Sequence, residues 1–205
     1  VDLYPEIMSR VDAKLADPEC YNKVRLEYIK HFGYYCTESS EHNAEYNPFY
    51  IKAGRDDLIE KFNIPLDEYP RRCINQIAAW QKQKEEILNG GNVQHTRSHE
   101  YASRIMEAIW TNTPFKIGGN VLNNGCISNL PREACVEVPC LVDNNGITPT
   151  YVGDLPLQLA AMNCSNIYPQ LLTIEAARTG KIEHLYQAAM MDPHTGAQLS
   201  TDEIV

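Results

Sequence analysis

The chain has 205 residues, of which 43% are hydrophobic and 22% charged, with a formal net charge of -9. These values exclude collagen-like, low-complexity and disordered classes and suit one domain that buries its own core. The acidic balance argues against nucleic acid as a partner, because nothing neutralises phosphates in bulk. No run of apolar residues is long enough for a transmembrane helix, and Val1-Asp2-Leu3-Tyr4-Pro5 lacks the basic and apolar segments of a signal peptide. The reading is therefore a cytoplasmic protein with no membrane partner. Its seven cysteines (Cys20, Cys36, Cys73, Cys126, Cys135, Cys140 and Cys164) show no CxxC spacing and read as reduced thiols rather than a zinc site.

Tyr4, Ile7, Met8, Val11 and Leu15 recur at three- and four-residue steps and predict a first helix. A second is expected from about Cys20 to His31, with Gly33 as its C-cap. Residues 34–54 show no clean period and read as an ordered, partly buried loop, the kind of segment that tends to carry function. A short helix follows at Asp56 to Phe62. Asp67 then caps a long helix whose apolar side is Cys73, Ile74, Ile77, Ala78 and Trp80, stopped by Gly90-Gly91. Ser98 is expected to cap the next helix, through Trp110, with Tyr101, Ala102, Ile105, Ala108 and Ile109 facing inward.

From 115 to 153, β-branched and aromatic residues sit among Gly118-Gly119, Asn123-Asn124-Gly125 and Asn144-Asn145-Gly146, which are strand and turn signals. Val136, Val138 and Cys140 share one strand face, Glu137 takes the other, and Pro139 argues for an edge strand or a bulge. After Pro156 the helices are read as Leu157 to Met162, Tyr168 to Thr179 and Ile182 to Met191. The predicted class is α+β, mainly helical with a small antiparallel sheet. Gly118-Gly119-Asn120 lacks the GxGxxG spacing, so the chain carries no dinucleotide fingerprint.

Two clusters stand out. Thr37 to Tyr46 packs Glu38, Glu41, Glu45, His42 and Tyr46 together; on spacing alone this is either a solvated acidic loop or a polar site with Tyr46 or His42 as acid/base. Asn120, Asn123 and Asn124 are either hairpin chemistry or amides offered to a polyhydroxylated ligand, since each amide both donates and accepts. Arg55 either brings a guanidinium to the first cluster or starts a helix.

The tract GYYCTESSEHNAEYNPFYIKAGRDDLIEKFNIPLDEYPRRC, with SHEYASRIMEAIW, GNVLNNGCISNLPREACVEVPCLVDNNGITPTYVGDLP and LYQAAMMDPHTGAQL in the same order, resembles the NAD- and manganese-dependent glycoside hydrolases of family 4, and within them the bacterial α-galactosidases. The resemblance implies that residues 1–205 form the C-terminal substrate domain, related to the lactate dehydrogenase C-terminal domain, and that a Rossmann domain with the NAD turn and the Cys and His ligands of Mn²⁺ lies upstream. It implies an α-galactoside substrate, a homo-oligomer, and an exception to the two-carboxylate glycosidase scheme. NAD⁺ takes hydride from C3, a base removes the acidified C2 proton, the glycosidic oxygen leaves, water adds, and hydride returns. Tyr46 aligns with the base. His42, Asn43, Asn120, Asn123, Asn124 and Arg55 are expected sugar contacts, and no metal ligand is expected in this chain.

Chemistry constrains that role. A free tyrosine titrates near 10, so a phenolate at pH 7 needs about 4 kcal/mol of differential stabilisation, supplied by nearby cations. Glu41 and Glu45 must therefore point away or be paired, and the domain alone is expected to be inactive. The alternatives are another family 4 specificity (an α-glucosidase, α-galacturonidase or phospho-glycosidase), or a non-enzymatic sugar-binding or oligomerisation module.

Overall fold

The computed structural model describes residues 1–91 and 96–205. Six helices open the chain: α1 (Tyr4–Leu15), α2 (Lys23–Phe32), α3 (Ser40–Tyr46), α4 (Asp56–Phe62), α5 (Glu68–Leu88) and α6 (Ala102–Thr111). Three strands follow, β1 (Phe115–Leu122), β2 (Cys135–Asp143) and β3 (Gly146–Pro149), and then α7 (Leu157–Thr179), α8 (Glu183–Met191), α9 (Pro193–Gln198) and α10 (Thr201–Ile204). The expected α+β class, mainly helical with a small antiparallel sheet, is what the chain forms.

The sheet runs in the order β1-β2-β3, antiparallel throughout. Its inner face carries Val136, Val138, Cys140 and Val142, packed with Ile117, Ala108, Ala160 and Ile167 into the main core. Strict alternation of buried and exposed residues along β2 produces that face. The outer face carries Glu137, whose flexible carboxylate lies beside Gly118 of the neighbouring strand. A second core joins α2, α3 and α4 through Val24, Tyr28, Ala44, Tyr50 and Phe62. Gly33, at φ 81°, ends α2 as a left-handed C-cap.

Five local expectations are corrected. Residues 34–54 contain a helix: Ser39 caps α3, its hydroxyl accepting from the His42 amide at 3.3 Å, and Ala44 disappears into the second core. Tertiary burial of one side thus selects a helix too short to show a period. Pro139 lies in the central strand. Its carbonyl accepts from the Thr150 amide at 2.9 Å, one residue past the end of β3, so its missing N–H faces a point where the third strand has stopped. The helices expected from Leu157 to Met162 and from Tyr168 to Thr179 are one, α7, which continues through Pro169. Finally, Asp67 precedes α5 with φ 56° and makes no capping bond, and Ser98 accepts from the Glu100 amide well before α6 begins.

The long helix departs further from expectation. No residue of α5 is buried, and Ile74 and Ile77 are 65% and 64% exposed. In α6 only Ala108 is buried, while Ile109 and Trp110 face outward.

Candidate functional site

Helix α3 separates two cavities. The larger, about 470 Å³, lies between α3, the edge of the sheet and α7. Asn43, Tyr46 and Asn47 line it from α3, Glu137 from β2, and Asn163, Asn166 and Gln170 from α7. The smaller, about 280 Å³, lies on the other side of α3, where Glu41, His42 and Glu45 face the first turn of α5.

Tyr46 ends α3 and is half-exposed on the wall of the larger cavity. Tyr28 and Tyr50, in the neighbouring core, differ: burial pushes both phenols well above the ordinary tyrosine value. Tyr46, by contrast, opens onto the cavity. One turn earlier, His42 stacks on Tyr46 with ring centroids 6.2 Å apart and 22° between planes. His42 Nδ1 lies 2.9 Å from Glu45 Oε2, and that hydrogen bond holds the imidazole above its ordinary pKa against desolvation, with the charges of Glu45, Glu38 and Glu41 adding to it. Glu45 is thus paired, and Glu41 faces the smaller cavity.

The approach to α3 is clamped. Arg25 donates from Nε to the Cys36 carbonyl at 2.9 Å and from Nη2 to the Thr37 carbonyl at 3.2 Å, and its guanidinium lies 4.5 Å from the centre of the Tyr35 ring. A planar, multiply donating cation suits this task as a lysine would not.

The other expected sugar contacts disperse. Asn43 lines the Tyr46 cavity, but its side-chain nitrogen donates to the carbonyls of Glu38 and Ser39 at 3.0 and 2.9 Å, and its oxygen accepts from the Cys36 thiol at 3.1 Å. It therefore holds the entry to α3 rather than a ligand. Asn123 is fully buried. Its nitrogen donates to the carbonyls of Ile127, Leu130 and Pro131 and its oxygen accepts from the Ile127 amide at 2.7 Å, so it pins the loop between β1 and β2 and has nothing left for a sugar. Asn124, at φ 43°, serves the same turn, and neither it nor Asn120 lines a described cavity. Asn120 is exposed in β1 opposite Glu137. Arg55 starts α4 with its guanidinium held by Asp57, at 2.7 Å from both Nε and Nη2, and it too lines no described cavity.

Sequence reasoning missed Asn163, Asn166 and Gln170. Their spacing of three and four residues places them on one side of a helix, but dividing α7 around Pro169 left the first two on the break. Glu137 is exposed on the outer face of β2, as its place in the alternation predicts.

All seven cysteines are unbridged, and no three His, Cys, Asp or Glu side chains among the described residues are gathered to hold a metal ion. The donors of the described residues therefore do not by themselves assemble a Mn²⁺ centre. No helix of the described residues is long and apolar enough to cross a membrane.

The half-exposed phenol of Tyr46 thus stands on an amide-lined cleft of an α+β domain, and comparison with known proteins shows the family to which that domain belongs. Residues 1–195 match the family 4 glycosyl hydrolase C-terminal domain, and the chain belongs to that family. It is 56% identical over 204 residues to an alpha-galactosidase of Bacillus subtilis, covering 100% of this chain and 47% of that protein. It is 33% identical over 196 residues to an alpha-galactosidase of Rhizobium meliloti, covering 89% of this chain and 39% of that one. The chain thus spans less than half the length of these curated relatives. Among solved structures, a putative glucosidase from Bacillus subtilis superposes with a TM-score of 0.84 at 20% identity, covering 100% of this chain and 49% of the other. A 6-phospho-alpha-glucosidase from gut microorganisms, solved in complex with NAD and Mn²⁺, gives a TM-score of 0.72 at 19% identity, covering 100% and 48%.

Proposed function

We propose that the protein is an α-galactosidase of family 4 and that this chain is its substrate-facing domain, residues 1–205, working in a cytoplasmic homo-oligomer. The position of Tyr46, an open phenol on a cleft of about 470 Å³, carries the reading. This chain binds the galactoside between α3 and α7, with Asn163, Asn166 and Gln170 as candidate partners for its hydroxyls, and takes the proton from C2 at Tyr46 Oη. Loss of that proton allows the glycosidic oxygen to leave by elimination, after which water adds. The oxidation at C3 that acidifies the proton is the chemistry NAD supplies when bound, and NAD and Mn²⁺ belong to groups outside this chain. His42, stacked on Tyr46 and bonded to Glu45, sets the orientation of the ring.

The lining of the cleft also favours one family specificity over another. It includes no Lys or Arg among the described residues, so nothing there compensates the charge of a sugar 6-phosphate, and a neutral galactoside fits better. The experiment is Tyr46→Phe in the full-length protein, assayed on a nitrophenyl α-galactoside. A proton-abstracting group contributes about 10²–10⁴-fold, so turnover should fall by at least about a hundredfold with KM little changed. Near-normal hydrolysis removes Tyr46 from the role.

A further inference from the structure

Tyr46 ends a helix that cannot stand on its own. Helix α3 has seven residues, well short of the roughly 12–15 at which an isolated helix becomes even marginal in water. Ala44 is buried with Val24 and Tyr28 of α2, but an apolar contact is non-directional and sets no orientation about the helix axis. The chain leading into α3 adds none through its backbone: among the described residues, 34–38 make no backbone–backbone hydrogen bond. Side chains hold it instead. Asn43 ties the carbonyls of Glu38 and Ser39 back to α3 itself. The polar links to α2 run through Arg25. Its side chain donates to the carbonyls of Cys36 and Thr37 at 2.9 and 3.2 Å, and from Nη1 to Asn22 Oδ1 at 3.3 Å. Its backbone amide, one of the open amides in the first turn of α2, donates to the Ser40 hydroxyl at 3.4 Å. Ser40 is buried and is the first residue of α3. One residue thus grips the loop before α3 with its side chain and the start of α3 with its main chain.

We infer that Arg25 is a positioning residue for the proton abstraction: its grip on Cys36, Thr37 and Ser40 sets the rotation and height of α3 on α2, and so the place of Tyr46 Oη in the cleft. The inference rests on the role proposed above for Tyr46. Helix α3 is about 10 Å long, and a short rigid helix carries an error at its start through to its end. Arg25 itself lines no described cavity, so it acts on a ligand only through Tyr46. A guanidinium suits the task, because its in-plane fork reaches two successive carbonyls while its face lies 4.5 Å from the centre of the Tyr35 ring. A lysine ammonium has the charge but no fork. A displacement of about 1 Å at the reacting group costs about a hundredfold in rate.

The test uses the full-length protein and a nitrophenyl α-galactoside deuterated at C2 or at C3. Arg25→Lys should lower kcat by about tenfold and Arg25→Ala by about a hundredfold, with KM little changed. Arg25→Lys keeps the stem and the charge and carries the test if Arg25→Ala does not fold. The deuterium effect at C2 should rise, because proton removal becomes the slow step. The effect at C3 should shrink, because the oxidation before it then reaches equilibrium. A merely structural loss moves neither, since isotope effects are ratios over the molecules that turn over. Added to Tyr46→Phe, Arg25→Ala should cost little more, because residues that act as a unit are not additive. Unchanged kcat and an unchanged C2 effect overturn the inference and leave Tyr46 in place. So does a fall in kcat with wild-type isotope effects. Near-normal turnover by Tyr46→Phe removes the base and this inference with it.

Discussion

Asn123→Ala is expected to unfold the chain far more readily than it affects any ligand. The side chain is fully buried, and its amide serves three carbonyls at 2.9–3.0 Å and one backbone amide at 2.7 Å. Ile127 and Leu130, two of the acceptor residues, are themselves buried, so water cannot substitute freely at their carbonyls. Each buried group left without a partner costs about 1–3 kcal/mol. With part of the loop relaxing toward solvent, the net loss should be about 3–5 kcal/mol, a large share of the roughly 5–15 kcal/mol that holds a domain folded. For a urea slope of about 2–3 kcal/mol/M the midpoint should fall by about 1–2 M. Asn123→Asp should be nearly as damaging, since it removes the donor and places an acid where three carbonyls converge. The assay is equilibrium urea unfolding followed by circular dichroism. A midpoint within about 0.3 M of wild type, with galactoside binding lost instead, would refute the reasoning and return Asn123 to the sugar.

The isolated chain supplied with NAD⁺ and Mn²⁺ should not turn over a nitrophenyl α-galactoside, because the proposed site leaves the C3 oxidation to groups outside it; sustained turnover contradicts this. The His42 imidazole should titrate above the ordinary histidine value by NMR, and Glu45→Gln should bring it down, since the hydrogen bond to Glu45 is the leading cause. A pKa raised on folding gives stability that is full below the unfolded value, about 6.5, and that is lost as pH rises through the folded one. The pair should therefore favour the folded state in mild acid and cease to do so on the alkaline side. With both side chains about half exposed the effect is small, and an unchanged titration in Glu45→Gln removes the assignment.

Much of the architecture was readable one residue at a time. The period of α1, the placing of α2 and α4, the Gly33 cap, the alternation of Val136, Val138 and Cys140 and the α+β order all follow from local pattern, because each depends on neighbours a few positions away. The family, likewise, was legible in the order of long segments such as ESSEHNAEYNPFYIKAG. Elements without a period of their own were not. Helix α3 exists because Ala44 finds a place against Val24, Tyr28 and Phe62. Helix α7 survives Pro169 because Ala160, Ile167 and Ala176 are buried along its length.

By itself, then, the sequence determined the class of fold, the family and the phenol of Tyr46 as the group to watch. Only the tertiary structure decided which polar groups are free. Asn43 and Asn123 look like ligand-binding amides in sequence, but backbone carbonyls consume them, because an unmet hydrogen bond away from water costs more than a surface contact returns. Asn163, Asn166 and Gln170 look incidental, yet the packing of sheet and helix places them on the same cleft as Tyr46. The apolar side of α5 reads in sequence as a core face; in the fold it is exposed, because none of the described elements buries it.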